Sequence, residues 1–275
     1  MNWAGDALAL LARFADRAAL PRVRALHLPP RPEPDRLRGE FCALELDDGS
    51  LGLSYVLLGD TLATLERGGI DLVGADPLAL ARGFATDDVL RRTLGFAAMN
   101  AITRCLFDRA GFVPATAADS FGGLDPQPGE TLGMIGYFAP LLGRFAERGT
   151  KLVVVELRAD LVGDVGRVRV TRDAAELASC RKVMATGTLM LNDSLDRMLG
   201  RCRSAERLAL VGPSVGAPPD PLFGRGVTLL GGNWVHDGAA FVDALVGGEP
   251  TGAFARKTAL ERADYPGWAA LLARL

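Results

Sequence analysis

The chain has 275 residues, 49% of them hydrophobic and 23% charged, which leaves room for about two domains of 100–150 residues with real cores. Thirty-one basic side chains against 33 acidic ones give a formal charge of −2. That balance offers no electrostatic reason to expect nucleic acid or an anionic membrane as a partner. Arg91, Arg92, Arg201 and Arg203 read as solvated helix faces.

The opening residues carry no basic n-region, and Asp6, Arg13 and Asp16 interrupt the apolar run, so no signal peptide is expected. No stretch reaches the ~18 uncharged apolar residues of a membrane span. Cys42, Cys105, Cys180 and Cys202 lie far apart, without a paired-cysteine motif. They read as reduced thiols in a cytoplasmic protein.

Apolar positions at helical spacing (Trp3, Ala7, Leu10, Leu11, Phe14, Ala18) predict a helix over 3–19, stopped by Pro21. Val23–Leu28 reads as a short strand and Pro29–Pro34 as a loop. Phe41–Leu46 and Leu51–Leu58 flank Asp47-Asp48-Gly49-Ser50, the strongest hairpin signal in the chain. Asp76-Pro77 starts a short helix to about Phe84. Thr86 or Asp87 caps a longer one to Ala110, with Gly111 ending it. Small residues at Ala97-Ala98-Met99-Asn100-Ala101 would let another backbone approach. Strands followed by helices make residues 1–125 an α+β unit.

Residues 114–129 are rich in Pro, Gly, Ala and Asp, and the domain boundary is placed there. Apolar runs then recur at Leu132–Ile135, Leu152–Val155, Lys182–Ala185, Leu208–Val211 and Val227–Leu230. Helical segments separate them at Pro140–Glu147, Asp173–Ala178, Leu189–Gly200 and from Asp237 to about Val246. Such alternation implies a parallel sheet with right-handed crossovers, so residues 126–275 form a Rossmann-like α/β domain. A last helix, about Pro266–Leu275, packs on one domain or the other.

Ligands of open parallel sheets bind outside the carboxyl ends of the strands. The residues just beyond each expected strand are therefore the candidates. Those positions hold Gly136-Tyr137-Phe138, Glu156, Thr186-Gly187-Thr188 with Asn192 a turn later, Gly212-Pro213-Ser214, and Gly231-Gly232-Asn233. Glu156 stands about 20 residues after Gly136, the spacing of a ribose-binding acid, but Gly133-Met134-Ile135-Gly136-Tyr137-Phe138 lacks the full dinucleotide fingerprint. Only two histidines exist, His27 and His236, and no metal-ligand spacing links them to a cysteine. Ser214 is not in a nucleophile elbow. Asp119 and Asp125 offer carboxylates from the linking segment, where solvated-loop positions are the simpler reading.

Taken in order, Gly133–Leu141, Glu156, Ala185–Asn192 and Leu210–Ser214 resemble the family described as "putative heavy-metal chelation". The hairpin Phe41–Leu58 and the run Gly95–Ala101 resemble its enolase-N-terminal-like partner domain. The resemblance covers about residues 5–250. It implies an enolase-N-terminal-like α+β domain joined to a Rossmann-like domain, with the site in the cleft between them. The matching positions are Gly136, Phe138, Glu156, Thr186, Gly187, Thr188, Asn192, Gly212, Pro213 and Ser214, with Asn100 from the first domain. Val215-Gly216 comes after the Gly-Pro-Ser turn where the family has a small polar residue.

The expected function is that of a small-molecule-binding protein or enzyme, taking a heavy metal or a metal-chelating metabolite. Glu156 is the one carboxylate nominated for acid–base chemistry. The cofactor is left open, a metal ion or metal chelate being one candidate, and so are its protein ligands. A non-catalytic scaffold is the alternative, and a homodimer is left open.

Overall fold

The computed structural model describes residues 2–31, 40–68, 70–117 and 123–275. Asp119 and residues 32–34 of the proline run therefore fall outside the described residues. Helix α1 (Trp3–Ala15) starts at Asn2, whose side chain accepts from the Gly5 N–H. Strands β1 (Val23–His27), β2 (Phe41–Leu46) and β3 (Leu51–Tyr55) form an antiparallel sheet in that order. The expected hairpin is present, turned at Gly49 with φ +84°. A short helix α2 (Thr61–Glu66) carries no sequence signal of its own length. Helix α3 (Pro77–Arg82) is capped by Asp76, as its Asp-Pro start predicts. Helix α4 (Val89–Arg109) is capped by Asp88, not by Thr86 or Asp87: Asp88 Oδ1 accepts from the Arg91 N–H at 2.8 Å. Thr86 instead closes the preceding turn onto the Gly83 carbonyl.

The second half contributes β4 (Ala115–Thr116), β5 (Thr131–Ile135), α5 (Ala139–Glu147), β6 (Lys151–Val155), β7 (Gly163–Val165), β8 (Val168–Thr171) and β9 (Lys182–Thr186). Then come α6 (Thr188–Leu191), α7 (Leu195–Leu199), β10 (Arg207–Val211), α8 (Pro219–Phe223), β11 (Leu229–Val235), α9 (Gly238–Gly247), β12 (Ala255–Glu261) and α10 (Trp268–Leu272). The nine strands lie in the order β4-β12-β11-β10-β9-β5-β6-β8-β7. Six of them, β8, β6, β5, β9, β10 and β11, run parallel. β12, β4 and β7 are antiparallel additions at the edges. Numbered in chain order, the parallel strands stand 3-2-1-4-5-6 across the sheet, the order of dinucleotide-binding folds. The expected Rossmann-like α/β architecture after an α+β unit is the one observed.

Both faces of the sheet are covered, which explains why its strands read as continuous apolar runs. On one face Leu132, Met134, Val154 and Met184 pack with Phe145 of α5. On the other, Ile135, Val183, Ala185, Leu208 and Leu210 join the cluster that holds Trp3, Phe14, Phe96 and Met99. One core thus runs from the first helix into the large sheet. The last helix belongs with it: Trp268 Nε1 donates to the Leu10 carbonyl at 2.9 Å. Arg225 ties the halves again through Asp6 at 2.8 Å and Asp196 at 2.7 Å.

Two further expectations change. Leu189–Gly200 is not one helix: Asp193 adopts φ +57° and Asn192 Oδ1 accepts from the Ser194 N–H, which separates α6 from α7. Arg92 is not a solvated face either. Its side chain is 12% exposed, lies 5.2 Å from the Phe84 ring and donates to the Leu191 carbonyl. Among the described residues, no helix is long and apolar enough to cross a membrane.

Candidate functional site

The chain enters the parallel sheet at β5, adds β6 and β8 to one side, then crosses to build β9, β10 and β11 on the other. Connections leave β5 and β9 in opposite directions, so a crevice opens above their carboxyl ends. A cleft of about 780 Å³ occupies that position, within the range of roughly 300–1,000 Å³ usual for small-molecule sites. Ten of the eleven predicted site residues line it: Gly136, Phe138, Glu156, Thr186, Gly187, Thr188, Asn192, Gly212, Pro213 and Ser214.

Backbone geometry explains the glycines. Gly136 has φ +93°, and a Cβ there would stand 3.0 Å from Thr186 Cγ2. Gly187 has an ordinary φ, but a Cβ would come within 2.6 Å of Val215 Cγ2. The glycine N–H groups are not free donors, however. Gly136 donates to Val155, Gly187 to Val211 and Gly212 to Gly231, each extending the ladder by one bond. The next donors along two of these loops are the N–H groups of Tyr137 and Ser214, since Pro213 has none.

The side chains are held by their own loops. Glu156 Oε1 accepts from the N–H groups of Leu157 (2.7 Å) and Arg158 (3.1 Å), which fixes the carboxylate at the end of β6. Thr186 and Thr188 form a hydroxyl pair at 3.2 Å across the Gly187 turn. Asn192 holds Ser194 by both N–H and Oγ at the α6–α7 corner. The opposite wall comes from the first sheet, Phe41 and Tyr55, and from Leu58 in the loop after β3. The Phe41 and Tyr55 rings meet edge-on at 5.7 Å, being direct cross-strand partners. Burial, with Glu40 adding to it, pushes the Tyr55 phenol up, so it stays a proton donor at neutral pH.

Asn100 is the predicted residue that the cleft does not include. It is 4% exposed, and its Nδ2 donates to the Leu53 carbonyl (2.7 Å) and the Ser214 carbonyl (2.9 Å). It braces the Ser214 loop from behind and borders a separate cavity of about 70 Å³. Gly231-Gly232-Asn233 is a second correction. These residues lie inside β11, paired with β12, not in a loop beyond it, and Gly232 is glycine because a Cβ there would collide with the Val215 carbonyl. Arg172, Arg197 and Arg201 are absent from the predicted set and do line the cleft. Arg201 has the sequence surroundings of a solvated helix face, and Arg172 comes after a strand, β8, that gives no clear signal.

The donor set does not suit a bare heavy-metal ion. Soft metals favour sets of thiolate, thioether and imidazole donors, whereas the described residues of the cleft offer one thioether, Met198, with one carboxylate, hydroxyls, an amide and guanidinium groups. Among the described residues, no three of His, Cys, Asp or Glu come together as a metal site. His27 pairs with Glu45 at 2.8 Å, away from the cleft. All four cysteines are buried, and burial pushes the thiols of Cys42, Cys105 and Cys202 from 9.0 up to about 12. Native protein at pH 8 is therefore expected to resist a thiol reagent at all four positions and to react at four after unfolding in urea. Because the folded values are raised, the contribution to stability is complete below pH 9.0 and is lost as pH climbs toward 12. The loss is at most about 1.4 kcal/mol per pH unit for each thiol. Urea midpoints measured across that window check it.

Two solved structures from the DUF364 family, both of proteins with unknown function, share this fold. One is from Pyrococcus horikoshii and one from Desulfitobacterium hafniense. Each is 18% identical, covers 94% of this chain and 99% of its own, and superposes with a TM-score of 0.66. An uncharacterized protein of Methanocaldococcus jannaschii is 28% identical over 155 residues, 54% of this chain. The matched stretch spans 57% of that relative's length. Two family descriptions, each worded "Putative heavy-metal chelation", match residues 39–103 and 119–264. The second match, to the DUF364 family, spans more than half of the chain, and the chain belongs to that family.

Proposed function

We propose that the chain is a small-molecule-binding protein whose ligand occupies the cleft above β5 and β9. The observation that carries this reading is convergence. Residues from five separate strand ends, and from the first sheet, surround one hollow of about 780 Å³ at the switch point. A scaffold would have no use for that space; packed loops would serve it better. In this reading Thr186, Thr188 and Asn192 supply hydroxyl and amide contacts, and Phe138 with Tyr55 covers the ligand's less polar part. Glu156 is the group for any proton transfer. Its Oε1 is already engaged by two N–H groups, so the exchange would run through Oε2. A heavy metal, in keeping with the family's description, would arrive already held by an organic chelator, because the cleft lacks the donors to take it bare.

Thermal unfolding against a panel of metabolites and their metal complexes tests the reading. A ligand at about 100 times its Kd adds about 2.7 kcal/mol, which at this size raises Tm by roughly 5–10 °C. Thr188→Ala combined with Glu156→Ala should abolish the shift. A panel that moved wild type and the double variant equally would remove the ligand from the cleft.

A further inference from the structure

We infer that the ligand of this cleft is an organic polyanion, held by Arg172, Arg197 and Arg201 through its phosphate or carboxylate oxygens. The inference rests on the binding reading above and adds the chemical class of the ligand. All three arginines line the cleft, Arg172 at the carboxyl end of β8, Arg197 within α7 and Arg201 just beyond it. The last two are four residues apart, and so share one side of that helical segment.

Several arginines elsewhere in the chain have acidic partners, as in Arg104–Asp108, Arg169–Glu176 and Arg207–Glu261, and those without one among the described residues, such as Arg91 and Arg203, lie outside the cleft lining. Arg172, Arg197 and Arg201 have none among the described residues. The acids close to them in sequence are committed elsewhere. Asp173 caps the turn after β8 by accepting from the Ala175 N–H, Asp193 lies 3.7 Å from Arg92, and Asp196 lies 2.7 Å from Arg225. Among the described residues, Glu156 is the one acid in the cleft lining, with Glu40 close to Tyr55, against three guanidinium groups. The site is thus locally cationic in a chain whose formal charge is −2.

Guanidinium groups pair with oxyanions by charge-assisted, two-pronged hydrogen bonds. Several of them around one hollow favour a ligand with more than one negative charge. Phe41, Tyr55 and Phe138 line the same cleft, where they would pack on the carbon skeleton of an organic ligand that carries such charges. Polycarboxylates and phosphate esters are also oxygen chelators, so the ligand, and not the protein, would supply the metal's donors.

Calorimetric titration of the full chain with citrate, with pyrophosphate and with their metal complexes tests the inference, using Arg197→Gln combined with Arg201→Gln. The three arginines are exposed, so the variant should keep the wild-type urea midpoint. Binding of either anion, weakened at least tenfold in the double variant and by raised salt, supports the inference. Citrate alone identifies carboxylate as the source, and pyrophosphate alone identifies phosphate. Arg203→Gln, exposed and outside the cleft lining, should bind as wild type does. Equal binding by wild type and the double variant overturns the inference. So does an uncharged compound that binds in a Thr188-dependent way while neither anion binds, and that result would leave the cleft reading standing. If no compound at all shows Thr188 dependence, both fall.

Discussion

Replacing Gly52 by alanine is expected to lower the stability of the fold by about 3 kcal/mol, near the upper end for overpacking a core position. Gly52 lies in β3, where a Cβ would meet the Ala97 carbonyl and the Ala101 backbone of α4 inside any permitted contact distance. The obstacle is helix backbone, which cannot turn aside as a side chain does. Ala97, Ala98 and Ala101 are fully buried here, so the helix sits on the strand with nothing larger than a methyl group between them. The loss is a large fraction of the roughly 5–15 kcal/mol that holds a domain folded. Gly143→Ala is the control. It lies inside α5 with open space around it and an ordinary φ, so alanine should stabilise by about 0.5–1 kcal/mol. Urea midpoints of opposite sign are the expected result. Two glycines that behaved alike would refute the close helix–strand contact.

That contact is visible in the sequence as a run of small residues, and it shows which features are legible. Elements with local grammar can be read directly: the Asp-Gly hairpin, the Asp-Pro start of α3, and the apolar runs of β5, β6, β9 and β10. Each is specified by a few neighbouring residues. The β7–β8 hairpin is not, because Gly163–Thr171 alternates charge with valine at a solvent-facing edge and never forms an apolar run. β12 hides for the same reason, with Arg256, Lys257 and Thr258 in sequence. β11 is cut short because its glycines look like a turn. Gly232 is required in the strand by the Val215 backbone lying over it, a constraint set by a residue 17 positions earlier.

Legibility of the cleft obeys the same division. Searching after each strand end works wherever the strand itself can be recognised. It passes over Arg172 because β8 is silent, and it includes Gly231-Gly232-Asn233 because β11 is ended too early. Arg197 and Arg201 are obscured when α6 and α7 are read as one helix, since the break depends on Asp193 entering the left-handed region. Phe41 and Tyr55 reach the cleft from the other half of the chain. No local pattern encodes that approach.

Asn100 is where the two halves meet, and its replacement should be felt in both. Asn100→Leu keeps the volume near that of the original but leaves the Leu53 and Ser214 carbonyls without their donor. Each orphaned buried acceptor costs about 1–3 kcal/mol, so a loss of roughly 2–4 kcal/mol is expected in urea. Asn100 Oδ1 accepts no hydrogen bond from the described residues, so its removal adds nothing to that cost. Asn100→Asp should be worse, because it sets a carboxylate against two carbonyl oxygens at a site 4% exposed. The two changes differ from ordinary core damage in where they act. With the tie to Ser214 gone, amide exchange across Gly212–Gly216 should accelerate more than exchange in β10, which the sheet still holds on both sides. Any ligand of the cleft should bind more weakly for the same reason, since Gly212, Pro213 and Ser214 line it. Unchanged exchange in that loop, despite the loss in stability, would show that Asn100 supports only the first sheet.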